Sequence, residues 1–111
     1  MAGNITAKAG PSNARVWTVT FINNGPGVAV GVQVNSLELT QTFGAACSPI
    51  VTTPAAFPLA VGSIAPSGTG STAITINFTG CPANARFTAN ISFSANSETV
   101  TGTVIRYNQF E

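Results

Sequence analysis

Apolar and polar residues alternate along most of this chain, and the alternating runs are separated by turn-forming residues. The clearest run covers residues 87–94, where every second residue is apolar. A period of two predicts strands with one buried and one solvated face. Trp17, Val19 and Phe21 share one face of an early run and are the best candidates for the centre of the core. No segment repeats apolar residues at helical spacing for three turns, so no α-helix of consequence is expected.

Seven such runs are separated by segments rich in Gly, Pro, Asn and Ser, the residues that form turns. Their number and spacing are typical of a seven-stranded, immunoglobulin-like or fibronectin-III-like antiparallel β-sandwich. We therefore expect one all-β domain that covers residues 1–111. The long segment 44–58, with three prolines, is expected to be irregular. The predicted strands cover residues 5–9, 17–21, 28–34 with an extension to 39, 59–64, 74–78, 87–94 and 100–104.

In the third alternating run, the apolar residues change from even to odd positions. The valines between residues 28 and 34 occupy even positions, whereas the next apolar residues, Leu37 and Leu39, occupy odd ones. A strand cannot present both sets to one core unless its register slips by one residue. The pattern therefore predicts a β-bulge or a bend at Asn35 and Ser36.

The composition of the chain argues against several classes of function. The 111 residues are 44% hydrophobic but only 6% charged, with a net charge of +1 and no histidine. Side chains used for proton transfer, nucleophile activation and metal ligation are therefore scarce, and we expect neither an enzyme nor a cofactor or metal site. The chain has no basic patch for nucleic acid and no apolar stretch of about 20 residues for membrane insertion. Because a predicted strand begins almost at Met1, we expect a domain excised from a larger secreted protein.

The two cysteines, Cys47 and Cys81, are 34 residues apart, which fits no redox or zinc knuckle. They lie in connections that share one end of the sandwich, provided that residues 59–64 form a strand. A Cys47–Cys81 disulfide in a secreted or cell-surface protein is the favoured interpretation, and two buried, reduced thiols are the alternative.

Two segments resemble a known family. Residues 23–34 (NNGPGVAVGVQV) and 61–71 (VGSIAPSGTGS) are similar to motifs of the bacterial CARDB and DUF11 surface repeat domains. The resemblance implies a seven-stranded module of a secreted or cell-surface protein, in tandem or joined to another domain, with no catalytic residues. Neighbouring domains of the parent protein would then be its partners.

These observations favour a non-catalytic structural or interaction module that acts as a spacer, an adhesion unit or an appended domain. The alternative is a small module that binds a carbohydrate or protein ligand through the 44–58 loop. Phe43, Phe57 and Tyr107 would contact such a ligand, because they lie outside the clean alternation. Few charges protect the first and last strands, so self-association through these edges is also expected.

An internal isopeptide bond is the one covalent feature to consider besides the disulfide. Lys8, Asn108 and Glu38 are the only plausible amine, amide and carboxyl for it. Lys8 has the parity of Thr6 and should face water, so we do not expect this bond to form.

Overall fold

Two antiparallel sheets of four strands pack against each other in the computed structural model, which describes residues 1–111. The β-sandwich prediction is thus confirmed, and the only helical segment is a 3-10 turn at Ser12–Ala14. One sheet has the order β1-β2-β6-β4 and the other the order β5-β3-β7-β8. The strands are β1 (Ala2–Ala9), β2 (Arg15–Ile22), β3 (Ala29–Phe43), β4 (Ile50–Thr53), β5 (Leu59–Ile64), β6 (Thr69–Asn77), β7 (Arg86–Ala95) and β8 (Val100–Gln109).

The structure has eight strands where the sequence predicted seven. The additional strand, β4, lies inside the 44–58 segment that was expected to be irregular, and it pairs with β6. The next strand, β5, pairs with β3 in the opposite sheet. Pro54 and Pro58 lie between these two strands, and proline cannot donate the hydrogen bond that a sheet ladder needs. The chain therefore changes sheets between β4 and β5.

The bulge predicted in the third run is confirmed. Val34 pairs with Phe93 and Ser36 with Ser92, which leaves Asn35 as the extra residue of β3. Val34 and Leu37 consequently both face the core.

A second irregularity near the start of β3 was not predicted. The register shifts between Ala29 and Val32, and Gly31 adopts a φ of +60°, which few residues other than glycine tolerate. Ala29 takes the buried position, whereas Val28 and Val30 are 51% and 56% exposed. The prediction that Val28 and Val30 share the inner face with the later valines is wrong for this reason.

One contiguous core lies between the sheets. Trp17, Val19 and Phe21 are fully buried, as the alternation predicted. Aromatic rings from the two sheets meet in it, and the Phe21 and Phe93 ring centroids are 4.9 Å apart. The largest side chains that are less than 2% exposed are Trp17, Phe21, Phe78, Phe87, Ile74, Ile76, Ile91, Val19, Val32 and Val34.

The molecule is a rod of 45 × 22 × 20 Å. We call one end the disulfide end, because it carries Cys47 and Cys81, and the other the hairpin end, because the β7–β8 hairpin (96–99) turns there. Met1 lies at the hairpin end beside Val28 and Val100, whereas Glu111 lies at the disulfide end. The first and last residues are therefore at opposite ends of the rod.

Candidate functional site

The two edge strands β1 and β8 lie side by side without pairing, and charged side chains join them. Arg106 on β8 donates from Nε to Asn4 Oδ1 at 2.8 Å and from Nη2 to the Gly3 carbonyl at 3.0 Å. Both acceptors are on β1. We call this junction between β1 and β8 the seam.

Lys8 makes the second bridge across the seam. Its Nζ donates to Gln109 Oε1 at 2.8 Å and to the Phe110 carbonyl at 2.7 Å, and it lies 4.3 Å from the centre of the Trp17 ring. Burial lowers the pKa of Lys8, and the nearby charge of Arg15 lowers it further. The half-buried amine of Lys8 therefore stabilises the fold through two charge-assisted hydrogen bonds and one cation–π contact.

The expectation that Lys8 faces water is wrong. The pairing of β1 with β2 shifts between Ile5 and Ala7, so Thr6 is an extra residue of β1. Beyond this bulge the parity is reversed, which leaves Ala7 and Ala9 exposed and turns Lys8 towards the seam.

The chain's last residues are fixed at the disulfide end. Arg15 donates to the Glu111 carbonyl at 2.6 Å and to the Gly10 carbonyl at 2.6 Å. The Phe110 ring packs against Phe78 with centroids 5.5 Å apart, and the Arg86 guanidinium lies 5.8 Å from its centre. Phe110 is thus part of the packed structure, and each of the four basic side chains contacts groups of the chain itself.

The residues considered for an isopeptide bond are not assembled. The hydrogen bonds of Lys8 go to Gln109 and Phe110, and none involves Asn108 or Glu38. Asn108 is exposed on β8, and Glu38 is exposed on β3, opposite Asn90 of β7.

The disulfide between Cys47 and Cys81 is present, with the Cα atoms 5.2 Å apart, and it leaves no free cysteine. It joins the β3–β4 connection to the β6–β7 connection, as the topological reasoning predicted. Gln41 supports the first loop by accepting a hydrogen bond from the Cys47 amide at 3.0 Å. A disulfide indicates a non-reducing compartment. None of the helical structure is long or apolar enough to cross a membrane.

The three candidate ligand contacts do not form one surface. Phe43 and Tyr107 are 62% and 69% exposed, on strands of the same sheet near the disulfide end. Phe57, in contrast, is partly buried and packs against the core. An open depression of about 490 Å³ adjoins Phe43 and is lined by Gln41, Thr42, Phe43, Gly44 and Ala46.

A groove at the hairpin end was not predicted. Its volume is about 220 Å³, and its walls come from residues 25–29, Met1, Asn23, Asn96 and Val100. The buried Asn23 side chain holds one wall, because it donates to the Gly27 carbonyl at 2.7 Å and to the Ile64 carbonyl at 3.0 Å. The dense turn residues at 23–27 indicated a tight turn, but the exposure of Val28 depends on the unpredicted bulge at Gly31.

No group of three or more His, Cys, Asp or Glu side chains is arranged to hold a metal ion. Comparison of the chain with models of protein families, with curated proteins and with solved structures gives no significant match.

Proposed function

We propose that this chain is a non-catalytic structural module, a spacer or appended domain of a bacterial extracellular protein. We further propose that it belongs to the immunoglobulin-like class of sandwiches, of the CARDB and DUF11 kind. The observation that carries the functional proposal is the seam, where Arg106 and Lys8 join the first strand to the last.

The direction of the edge strands gives the seam a mechanical role. Strands β1 and β8 both run from the hairpin end to the disulfide end, with Met1 at the start of one and Glu111 just after the other. Tension applied to the two ends of the chain pulls β1 and β8 past each other, which loads the bridges together rather than one after another. Hydrogen bonds to charged groups contribute about 1.5–3 kcal/mol each, more than neutral ones. The seam is therefore suited to resist a pull along the rod.

The use of polar groups supports the same function. The basic side chains bind carbonyl and amide oxygens of the chain itself, and Arg86 also contacts an aromatic ring. Hydroxyl groups on the outer face of the β1-β2-β6-β4 sheet contact one another, as in the pairs Thr6–Thr20 and Thr20–Ser71, both with oxygens 2.9 Å apart. The basic side chains therefore stabilise the sandwich, and the exposed hydroxyl groups give its outer face a polar surface that water can solvate.

Single-molecule force spectroscopy tests the proposal. Arg106→Gln and Lys8→Met should each lower the force at which the chain unfolds when it is pulled from its two ends. Glu38→Gln removes one exposed charge outside the seam and should leave the force unchanged. Equal unfolding forces for the wild type and both seam variants would refute the proposed role.

Recognition of a glycan or a surface protein is a second candidate, because Phe43 and Tyr107 are exposed near the same end of one sheet. A glycan array then measures whether binding falls in Phe43→Ala and Tyr107→Ala. Ile105→Ala, a change at another exposed apolar residue of β8, is the matched control. Binding that is equal in all three variants would argue against this candidate.

A further inference from the structure

The loop between β2 and β3 (23–28) contains the one asparagine of the chain that is followed by a glycine. This asparagine, Asn24, is exposed. The side-chain hydrogen bonds of the loop come from the neighbouring Asn23, which leaves the Asn24 amide free. An asparagine side chain loses ammonia when the next main-chain nitrogen attacks its Cγ, and glycine presents that nitrogen with no side chain in the way. Asn24 is therefore the asparagine best placed for this reaction.

The reaction needs only groups of the chain and water. The Gly25 nitrogen forms a bond to Asn24 Cγ and gives up its proton, while the C–N bond of the side-chain amide breaks and ammonia leaves with that proton. A five-membered succinimide ring results. Water then opens the ring in one of two ways. Attack at Cγ gives aspartate in a normal main chain, and attack at the Asn24 carbonyl carbon gives isoaspartate, whose main chain runs through Cβ and Cγ.

Asn23 holds the nitrogen that has to attack. Its Oδ1 accepts a hydrogen bond from the Gly25 amide at 3.1 Å. The side chain is itself fixed, because it is buried and its Nδ2 donates to the carbonyls of Gly27 and Ile64. The Gly25 nitrogen has to leave this hydrogen bond before it reacts with Asn24. A typical hydrogen bond reduces the fraction of molecules in which the nitrogen is free by roughly 2- to 13-fold.

We propose that Asn24 is a site of spontaneous modification to aspartate and isoaspartate, and that Asn23 is the positioning residue that slows it. Both products add one carboxylate to an exposed loop, which removes the net charge of +1. The inference rests on the β2–β3 loop alone and is independent of the seam and of the proposed function.

Isoaspartate also changes the main chain that Asn23 holds together. The extra carbon lies between Asn23 and Gly25, so it alters the spacing of Gly25 and Gly27 from the Asn23 side chain. The same side chain reaches Ile64, the last residue of β5 in the opposite sheet. Formation of isoaspartate therefore loosens a connection between the two sheets at the hairpin end.

Incubation of the folded, oxidised chain in mildly alkaline buffer tests the site, with peptide mapping by mass spectrometry at successive times. Asn24 should convert to aspartate and isoaspartate before any other asparagine does. Gly25→Ala places a methyl group beside the attacking nitrogen, 3.4 Å from Asn23 Oδ1, and should slow the conversion several-fold. A chain in which Asn24 stays intact, or in which another asparagine converts first, overturns the proposal.

A second pair of variants tests the role of Asn23. Asn23→Ala frees the Gly25 nitrogen and should raise the rate of modification at Asn24 roughly 2- to 13-fold. Because this variant also loses stability, the matched control is Gly102→Ala, which is destabilised outside the loop, and it should modify Asn24 at the wild-type rate. Circular dichroism checks that both variants fold. An unchanged rate in Asn23→Ala, or an equal acceleration in both variants, overturns the positioning role.

The effect on the fold is measured on the modified chain itself. Urea unfolding of the isolated isoaspartate form should show a lower midpoint than the wild type. Asn24→Asp carries the new charge in a normal main chain and should retain the wild-type midpoint. Equal midpoints for the isoaspartate form and the wild type would show that the connection between the sheets is not loosened.

Discussion

Removal of the disulfide has an effect that follows from the position of Cys47 and Cys81. The bond closes a loop across a sequence separation of 34 residues. For a loop of that length, the chain-entropy model gives a stabilisation of about 3.8 kcal/mol at 25 °C. Both cysteines are only partly buried and lie outside the set of 18 buried core residues, so little apolar area is lost with the sulfur atoms. The double variant Cys47→Ala/Cys81→Ala should therefore fold, but with a lower free energy of unfolding.

The expected shift in melting temperature follows from the size of the chain. An unfolding entropy of about 2.1 cal/mol/K per residue over 111 residues converts 3.8 kcal/mol into a fall of about 16 °C. Trp17 is the only tryptophan and is fully buried, so its fluorescence reports the unfolding of the core. Thermal and urea unfolding of the oxidised wild type and the double variant measure the difference directly.

Two results would refute this reasoning. A difference below about 1 kcal/mol would mean that the unfolded chain does not gain the expected freedom when the bond is absent. A double variant that cannot fold at all would mean that the core is insufficient without the cross-link. Ser48→Ala, an exposed change in the same loop, is the control and should shift stability by less than about 0.5 kcal/mol.

Three further changes test individual contacts, each by urea unfolding. The pKa of Lys8 is lowered below 10.5 in the folded chain. Just below pH 10.5 the unfolded chain therefore binds more protons than the folded chain, and the free energy of unfolding should rise with pH in that range. Lys8→Met should abolish this rise. Gly102→Ala places a methyl group 2.5 Å from the Phe93 ring and should cost about 1–3 kcal/mol, and a cost equal to that of Gly27→Ala, where the methyl group meets nothing, would contradict the packing argument. Asn23→Ala leaves two carbonyls without their donor and should cost about 2–3 kcal/mol, so a loss under about 0.5 kcal/mol would show that water replaces the amide.

Periodicity predicted most of the strands but failed where a bulge left no trace in the sequence. At Asn35 the apolar residues themselves change parity, and the bulge could be inferred. No change of parity accompanies the register shift near Thr6, so the sequence pattern predicts the wrong face for Lys8. At Gly31 the surrounding valines continue the apparent alternation, although the backbone turns Val28 and Val30 outwards. A strand pattern alone cannot fix the face of a residue beyond such a point.

The disulfide could be predicted from the alternation of connections between antiparallel strands. The additional strand β4 does not upset this prediction, because β4 and β5 both run from the disulfide end to the hairpin end. The seam could not, since its hydrogen bonds join residues 101 to 103 positions apart in the chain. Arginine and lysine in a charge-poor sequence indicate solvated positions unless a partner is known. Here the partners are backbone carbonyls and side-chain amides of distant strands, which no local pattern identifies.

When this chain is pulled from its two ends, it should unfold in one step with the disulfide-closed loop held together, and the length released in a single-molecule pulling experiment tests this directly. With the disulfide intact, the loop that spans the sequence separation of 34 stays closed, and the 111-residue rod of 45 Å should lengthen by about 230 Å in one step. After reduction, the whole 111-residue chain extends and the step should grow to about 350 Å. Several smaller steps, or the same length with and without reductant, would contradict the account.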